Sequence, residues 1–280
     1  MADDTSDFQL CPDPSTLTLE PLLHIPAPRS VVTCIARRGA GKSYLFSSWL
    51  YHQLRDPKRM YNKGNVIVFT SSGRLSNDFS YLSPENVRPF SEQTFTSVMR
   101  LQQRRITLLK KRAERSKTSC TLPPLLVCLD DPQGMSHRST DGGKGAFHSN
   151  AVSFAYTCGR HLKLQLWCSI QNPTSLLSTA ARSQTTHLVM ASLSQEQLRA
   201  CYKLIDGVAS FQQFARMIAS LKPYCFLLFD TTRPAGDRFQ YIRAGGFNDG
   251  KWKVRIAQPP SSEKGKQNAK DKETNAAKPK

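Results

Sequence analysis

Two features that mark membrane and secreted proteins are missing from this sequence. No apolar run approaches the roughly 20 residues that a membrane-spanning helix needs. The amino terminus opens with acidic rather than apolar residues after Met1 and Ala2, so the sequence predicts no secretory signal. We therefore expect no membrane partner.

Acidic residues are scarce. The 280 residues include 21 Asp and Glu against 39 Lys and Arg, which gives a formal net charge of +18. A soluble protein this basic usually binds a polyanion, and nucleic acid is the commonest one. A length of 280 residues is enough for one α/β domain with a substantial core and short additions, and a hydrophobic content of 39% is typical of a folded soluble protein.

Cysteines are present but never as a CxxC pair, which disfavours a zinc site. Four of the eight cysteines, Cys34, Cys128, Cys168 and Cys225, stand within apolar runs that read as strands. Buried reduced thiols in a cytosolic or nuclear compartment account for this pattern best.

Apolar segments separated by helical stretches predict a mostly parallel sheet with helices on both faces. The predicted strands are residues 30–36, 65–70, 125–129, 163–170, 186–191, 224–229 and 238–243. The last two should form a terminal pair. Helices are predicted over 43–54 and 194–204, the second with Ser194 and Gln197 as a capping box.

Composition divides the chain into three parts. Residues 1–28 are rich in proline and predict an irregular or extended lead-in. Residues 29–257 form the predicted α/β domain. Residues 258–280 consist largely of Lys, Ser, Asn and Ala and should be disordered.

A phosphate-binding loop follows the first long strand. The segment that fits GxxxxGK[ST] is Ala36, Arg37, Arg38, Gly39, Ala40, Gly41, Lys42 and Ser43. In such a loop backbone N–H groups surround the phosphates, the lysine reaches the β- and γ-phosphates, and the hydroxyl holds Mg²⁺. Alanine replaces the first glycine at Ala36, which fits if the backbone there has a negative φ. Arg37 and Arg38 either face solvent or add positive potential at the phosphates.

An apolar strand ends in two carboxylates, Asp130 and Asp131. A buried parallel strand delivers them to the sheet edge that carries the phosphate loop. There Asp130 can hold Mg²⁺ through water, and Asp131 can act as the general base on the attacking water. Read alone, Asp-Asp-Pro is also turn chemistry. The phosphate loop and the carboxylates together predict an ATPase with ATP and Mg²⁺ as ligands.

Gln171 follows the next strand and would lie beside the γ-phosphate, where it could sense that group or orient the water. A polar loop residue is the alternative from Gln171 alone. That strand is preceded by Gly159, Arg160 and His161 and is followed, farther along the chain, by Arg182 and Ser183.

Together with the phosphate loop and the acidic strand end, these residues resemble the poxvirus-type DNA-packaging ATPases, which belong to the FtsK–HerA superfamily of ring translocases. The likeness spans about residues 31–191. It departs at Ala36 and in the long loop 136–150.

The resemblance implies an additional-strand P-loop core, with the strand that carries Gln171 between the P-loop strand and the acidic strand. It also implies a homo-oligomeric ring, commonly a hexamer, with ATP bound between subunits. Gln171 becomes the sensor, and Arg160 and Arg182 become candidates for an arginine finger supplied to the neighbouring subunit. Each arginine has an ordinary alternative, a helix-end cation for Arg160 and a surface ion pair for Arg182.

A strongly basic stretch over residues 99–117 predicts an amphipathic helix. Phe95, Val98, Leu101, Leu108 and Leu109 should form its apolar stripe. The candidate DNA-backbone contacts are Arg100, Arg104, Arg105, Lys110, Lys111 and Arg112. Phosphate contact without base readout suits a translocase, and a solvated charged face is the alternative.

The leading hypothesis is an ATP-driven translocase that packages viral double-stranded DNA into a capsid. It implies duplex DNA and capsid components as partners, and a location at the virus assembly site in the host cytoplasm or nucleus, or in the virion. The alternatives are a HerA-like helicase or end-processing motor, a non-enzymatic DNA-binding protein with a degraded P-loop, and, more weakly, a small-molecule kinase.

Overall fold

The structure is a computed structural model. It describes residues 20–21, 30–55, 60–70, 77–132, 149–171, 179–206, 208, 210–234 and 237–244. All of these belong to one compact unit, Met1–Gly245. Most of the predicted lead-in, the predicted tail 258–280 and nearly all of the long loop 136–150 lie outside the described residues, so the predicted division of the chain stays a prediction.

The described strands are β1 (Glu20–Pro21), β2 (Val31–Ala36), β3 (Val66–Thr70), β4 (Val87–Arg88), β5 (Leu125–Asp130), β6 (Leu164–Ile170), β7 (His187–Ala191), β8 (Cys225–Asp230) and β9 (Phe239–Arg243). The described α-helices are α1 (Lys42–Arg55), α2 (Glu92–Ser116), α3 (Asn150–Cys158), α4 (Thr179–Gln184), α5 (Gln195–Tyr202) and α6 (Phe211–Ala219). Every predicted strand is present with its ends within one residue of the prediction, because most of them are largely apolar runs closed by polar residues. Strand β9 is the exception, since it contains Gln240 and buries only Ile242.

One sheet contains all nine of these strands, in the order β1-β9-β8-β7-β2-β6-β5-β3-β4. The pairs are parallel except for β7 with β8 and β8 with β9, which are antiparallel. Strand β6 therefore lies between the P-loop strand β2 and the acidic strand β5. The expected mostly parallel additional-strand core is confirmed.

Helices cover both faces of the sheet. On one face, α1 packs against side chains such as Val32 and Cys34. On the other, α2, α3, α5 and α6 contribute to a larger core with Ile35 of the same strand. Successive side chains of a strand point to opposite faces, so a strand covered on both sides must be apolar throughout. This is why the sequence shows unbroken apolar runs.

An aromatic cluster fixes α1 on the sheet. Trp167 of β6 lies 5.6 Å from Trp49 and 5.7 Å from Phe46 between ring centroids, and all three side chains are fully buried. Aromatic pairs at such separations contribute about 0.5–1.5 kcal/mol beyond their area burial. Because Lys42 begins the helix that carries two of these rings, the cluster also positions the phosphate loop.

The basic helix α2 is present, but the predicted apolar stripe is wrong in part. Phe95 and Val98 are buried as expected, whereas Leu101 and Leu108 are 62% and 59% exposed. Gln102 takes a core position instead, because its amide donates to the carbonyls of Pro123 and Leu162 at 3.0 Å each. A leucine there would leave two loop carbonyls without these donors.

The four cysteines predicted to be buried thiols, Cys34, Cys128, Cys168 and Cys225, are free and buried. Burial raises the pKa of Cys34 and Cys168 to about 12, so neither is a thiolate near neutral pH. Of the helices in the described part of the chain, none combines the length and apolar content that a membrane span requires.

Candidate nucleotide site

The phosphate loop joins the end of β2 to the start of α1. Ala36 is the last residue of β2, is fully buried and pairs with Ala191 of β7. It does not share the positive φ of Gly39 (+80°) and Gly41 (+93°), so alanine at the first motif position is unstrained, as predicted. The two glycines supply the left-handed turns that bring the chain into the helix.

Lys42 is held at the mouth of this loop. Its side-chain ammonium donates to the carbonyl of Ala36 at 2.9 Å and to that of Arg37 at 3.0 Å, and the residue is only 6% exposed. Two backbone carbonyls of the loop therefore hold the positive charge of Lys42 in position. Arg37 and Arg38 are both exposed on the same loop.

Asp130 ends β5 at the same sheet edge and is 4% exposed. Burial raises the pKa of Asp130 above its usual value, and hydrogen bonds from the hydroxyls of Ser43 and Ser169 oppose that rise. Ser169 Oγ donates to Asp130 Oδ1 at 2.8 Å. The Ser43 contact joins the phosphate loop to the acidic strand across the intervening β6.

Asp131 adopts a left-handed backbone, with φ of +47°. Its backbone N–H donates to Ser169 Oγ at 2.8 Å, and its Oδ2 accepts from Gln171 Nε2 at 2.7 Å. Its other oxygen, Oδ1, is buried and has no hydrogen-bond partner among the described residues. An unsatisfied carboxylate oxygen at this position can accept a hydrogen bond, and then a proton, from a water.

Sequence reasoning missed Ser169 and the second role of Gln197. The predicted capping box is present: Ser194 Oγ accepts from Gln197 N at 3.2 Å, and Gln197 Oε1 accepts from Ser194 N at 2.6 Å. Gln197 Nε2 also donates to the backbone carbonyl of Gln171. The side-chain oxygen of Gln197 therefore accepts one hydrogen bond, and its side-chain nitrogen donates another. The capping box was visible in the sequence, but the contact with Gln171 was not, because it joins separate elements.

The two arginine-finger candidates lie at the other edge of the sheet. Arg160 is in the 3-10 helix Gly159–Leu162, just before β6 starts, whereas Gln171 follows the end of that strand. A seven-residue strand spans about 23 Å, which is far more than an arginine side chain reaches. Arg182 lies in α4, shortly before β7. The hydroxyl of nearby Thr185 is 2.9 Å from that of Thr33, which belongs to the first half of β2. Neither arginine is brought to its own chain's Lys42.

The donor set fits a nucleotide with Mg²⁺. Ser43 and Asp130 offer the hard oxygen ligands that Mg²⁺ prefers, and such sites usually complete the coordination with phosphate and water. Among the described residues no cluster of three or more His, Cys, Asp or Glu could hold a metal by itself.

Comparison with known proteins reveals the fold. No protein-family model matches the sequence, and no curated protein matches it. Among solved structures, the genome packaging NTPase B204 from Sulfolobus turreted icosahedral virus 2, in its complex with AMP, is similar with a TM-score of 0.52 at 16% identity. The match covers 79% of this chain and 100% of B204. The same protein in complex with ATP-γ-S gives 0.50 at 17% identity, with 78% and 98% covered.

A second similar structure is the pCW3 conjugation coupling protein TcpA with ATP-γ-S. Its TM-score is 0.53 at 12% identity, with 80% of this chain and 62% of TcpA covered. The chain therefore shares its fold with the genome packaging NTPase B204 and with TcpA, and the fold that the sequence resemblance implied is confirmed.

Proposed function

We propose that this chain is a Mg²⁺-dependent ATPase that uses hydrolysis to move double-stranded DNA, and that it packages a viral genome. The observation that carries the ATPase part of the proposal is the convergence of three units at one sheet edge. They are Lys42 on its loop, the Ser43–Asp130 pair, and the Asp131–Gln171 pair. The proteins of similar fold include one described as a genome packaging NTPase.

Each residue of the site has a distinct task in hydrolysis. Lys42 exchanges its two loop carbonyls for the β- and γ-phosphate oxygens. Ser43 and Asp130 would hold Mg²⁺, which when bound would offset phosphate charge. Gln171 keeps Asp131 in place. Water attacks the γ-phosphorus, the bond from that phosphorus to the ADP oxygen breaks, and the water proton passes to Asp131 Oδ1.

Helix α2 is the proposed DNA-backbone contact. Gln102 anchors its middle at the starts of β5 and β6, so the helix passes beyond the sheet edge opposite the nucleotide site. From Ile106 to Ser116 the helix advances about 15 Å. All six candidate DNA contacts predicted on this helix are exposed. A predominantly positive helix surface, on which Glu114 is the one acid between residues 99 and 117, can follow phosphates without reading bases.

The ring arrangement and the viral partners belong to the same proposal. Arg160 and Arg182 lie too far from their own phosphate loop to act there, so either could serve as a finger only at the site of a neighbouring subunit, in a ring that is commonly a hexamer. Capsid components and a location at the virus assembly site or in the virion follow from the packaging role.

The test is ATP hydrolysis by the full-length protein with Mg²⁺, with and without duplex DNA of several unrelated sequences. We expect hydrolysis that each DNA stimulates similarly. Lys42→Ala should abolish it. Asp131→Asn should keep ATP affinity while kcat falls by about 10²–10⁴-fold, the usual contribution of a general base.

The contrary outcomes separate the alternatives. DNA binding without any ATP hydrolysis would support a non-enzymatic DNA-binding protein. Hydrolysis indifferent to DNA would remove the translocase assignment but leave an ATPase. Normal turnover by Lys42→Ala would show that the nucleotide site has been misplaced.

A further inference from the structure

Two tyrosines border the phosphate loop on the side away from the catalytic carboxylates. Tyr44 follows Ser43 in the first turn of α1, and Tyr224 immediately precedes β8. Their ring centroids are 6.1 Å apart with the planes at 71°, an edge-to-face pair. Both residues are partly exposed. The rings therefore combine a fixed mutual position with surface that a ligand can cover.

Tyr224 is held in place at a cost. Its φ is +61°, a left-handed conformation that is a genuine outlier for a bulky residue. The backbone is fixed by its carbonyl, which accepts from Ala244 N at 2.9 Å. Strain of this kind persists where the surrounding structure enforces it, and it is concentrated at functional sites.

The strain brings the Tyr224 ring against the phosphate loop. A Cβ built on Gly41 would lie 2.7 Å from Tyr224 Cδ1 and 3.3 Å from Cε1. The ring thus sits directly on the glycine that precedes Lys42. Because Tyr44 lies in the first turn of α1 and its ring packs edge-to-face with that of Tyr224, the two rings together border the same side of the loop.

The order of the strands gives the direction in which a nucleotide must extend. The residues proposed to act on the γ-phosphate, Asp131 and Gln171, follow β5 and β6, to one side of β2. Tyr224 precedes β8, on the other side. A triphosphate with its γ-end at Asp131 and its middle at Lys42 therefore directs its nucleoside end toward the tyrosines. This step rests on the proposed function.

We propose that Tyr44 and Tyr224 form the nucleobase subsite, in which the base stacks on the exposed part of a tyrosine ring. An aromatic ring offers a large flat apolar surface with few rotatable bonds, and every nucleobase has a matching π-face. The subsite contributes affinity for the nucleoside part of ATP and none for the phosphates.

The test compares two ligands that differ only in the nucleoside. Binding of ATP and of inorganic tripolyphosphate, both with Mg²⁺, is measured by calorimetry on the full-length protein and on Tyr224→Leu and Tyr44→Leu. For at least one variant, we expect the Kd for ATP to rise by about 5- to 150-fold, equivalent to about 1–3 kcal/mol of base stacking. The Kd for tripolyphosphate should change less than two-fold.

One control variant keeps the aromatic ring at position 224, and the other removes a tyrosine elsewhere in the fold. Tyr224→Phe retains the ring and should bind ATP nearly as the parent does. Tyr202→Leu removes a partly buried tyrosine that forms an edge-to-face pair with Phe211, 5.7 Å between centroids, on other helices. It should leave both affinities unchanged. Retained tripolyphosphate binding also reports that the phosphate loop is intact in each variant.

The outcomes separate this inference from the proposed function. If neither leucine variant changes the ratio of the two affinities, or if both ligands weaken together, the tyrosines only support the loop and the subsite is refuted. If the parent protein binds neither ligand, the nucleotide site itself is refuted. Weakened ATP binding in Tyr224→Phe as well would assign the effect to the hydroxyl group and overturn stacking.

Discussion

Alanine substitutions at the two glycines of the phosphate loop should differ in their cost, although both residues have a positive φ. At Gly39, with φ of +80°, an added Cβ would meet no atom within 4 Å. At Gly41, with φ of +93°, it would lie 2.7 Å from the Tyr224 ring and 3.8 Å from Phe226 Cζ. The first substitution is therefore strained only in its backbone, and the second also creates a steric overlap.

The magnitudes follow from these two terms. A left-handed conformation costs an L-residue with a side chain about 1–2 kcal/mol relative to glycine. We expect Gly39→Ala to lower the free energy of unfolding by that amount. Overpacking typically costs a further 1–3 kcal/mol. Gly41→Ala should therefore lose about 2–5 kcal/mol, because the Tyr224 ring is confined by its own strained backbone.

The assay is urea unfolding of the full-length protein without nucleotide. Each variant should shift the midpoint at an unchanged m-value, which reports a change in stability alone. A double-mutant cycle isolates the steric term: in a Tyr224→Leu background, the cost of Gly41→Ala should fall by at least about 1 kcal/mol. The cost of Gly39→Ala should be the same in both backgrounds.

Two results would refute this reasoning. Equal costs at Gly39 and Gly41 would mean that the Tyr224 ring moves away freely. An unchanged cost of Gly41→Ala in the Tyr224→Leu background would mean that the ring does not press on the loop at all.

Two further predictions concern positioning and DNA contact. Gln197→Glu retains an acceptor for the α5 cap but cannot donate to the Gln171 carbonyl, so kcat for ATP should fall about 10- to 100-fold with ATP affinity kept. Ser194→Ala should instead cost about 1 kcal/mol of unfolding free energy and leave kcat unaltered; equal kcat in both variants would contradict the positioning role. Replacing the six basic α2 residues by glutamine, in pairs, should lower the slope of log K for duplex DNA against log salt by about 0.9 per lost phosphate contact. A constant slope would make α2 a solvated face.

The sequence alone was sufficient for what depends on local chemistry. Strand positions could be predicted because a strand buried on both faces must be continuously apolar. The loop after β2 could be recognised as a candidate phosphate loop because its glycines, Lys42 and Ser43 stand within one short segment. Asp130 could be assigned to the same edge because parallel strands end together. The family resemblance supplied the insertion of β6 between β2 and β5, which no local pattern encodes.

Only the tertiary structure decided which distant side chains meet. It joined Gln197 to Gln171, left Asp131 Oδ1 without a partner among the described residues, and set Tyr224 on Gly41. It also showed that Leu101 is exposed and that Gln102 occupies the core position expected for Leu101. Such contacts depend on the order of strands and the rotation of helices, which are set by packing over the whole core. A residue's own neighbours in sequence carry no record of them.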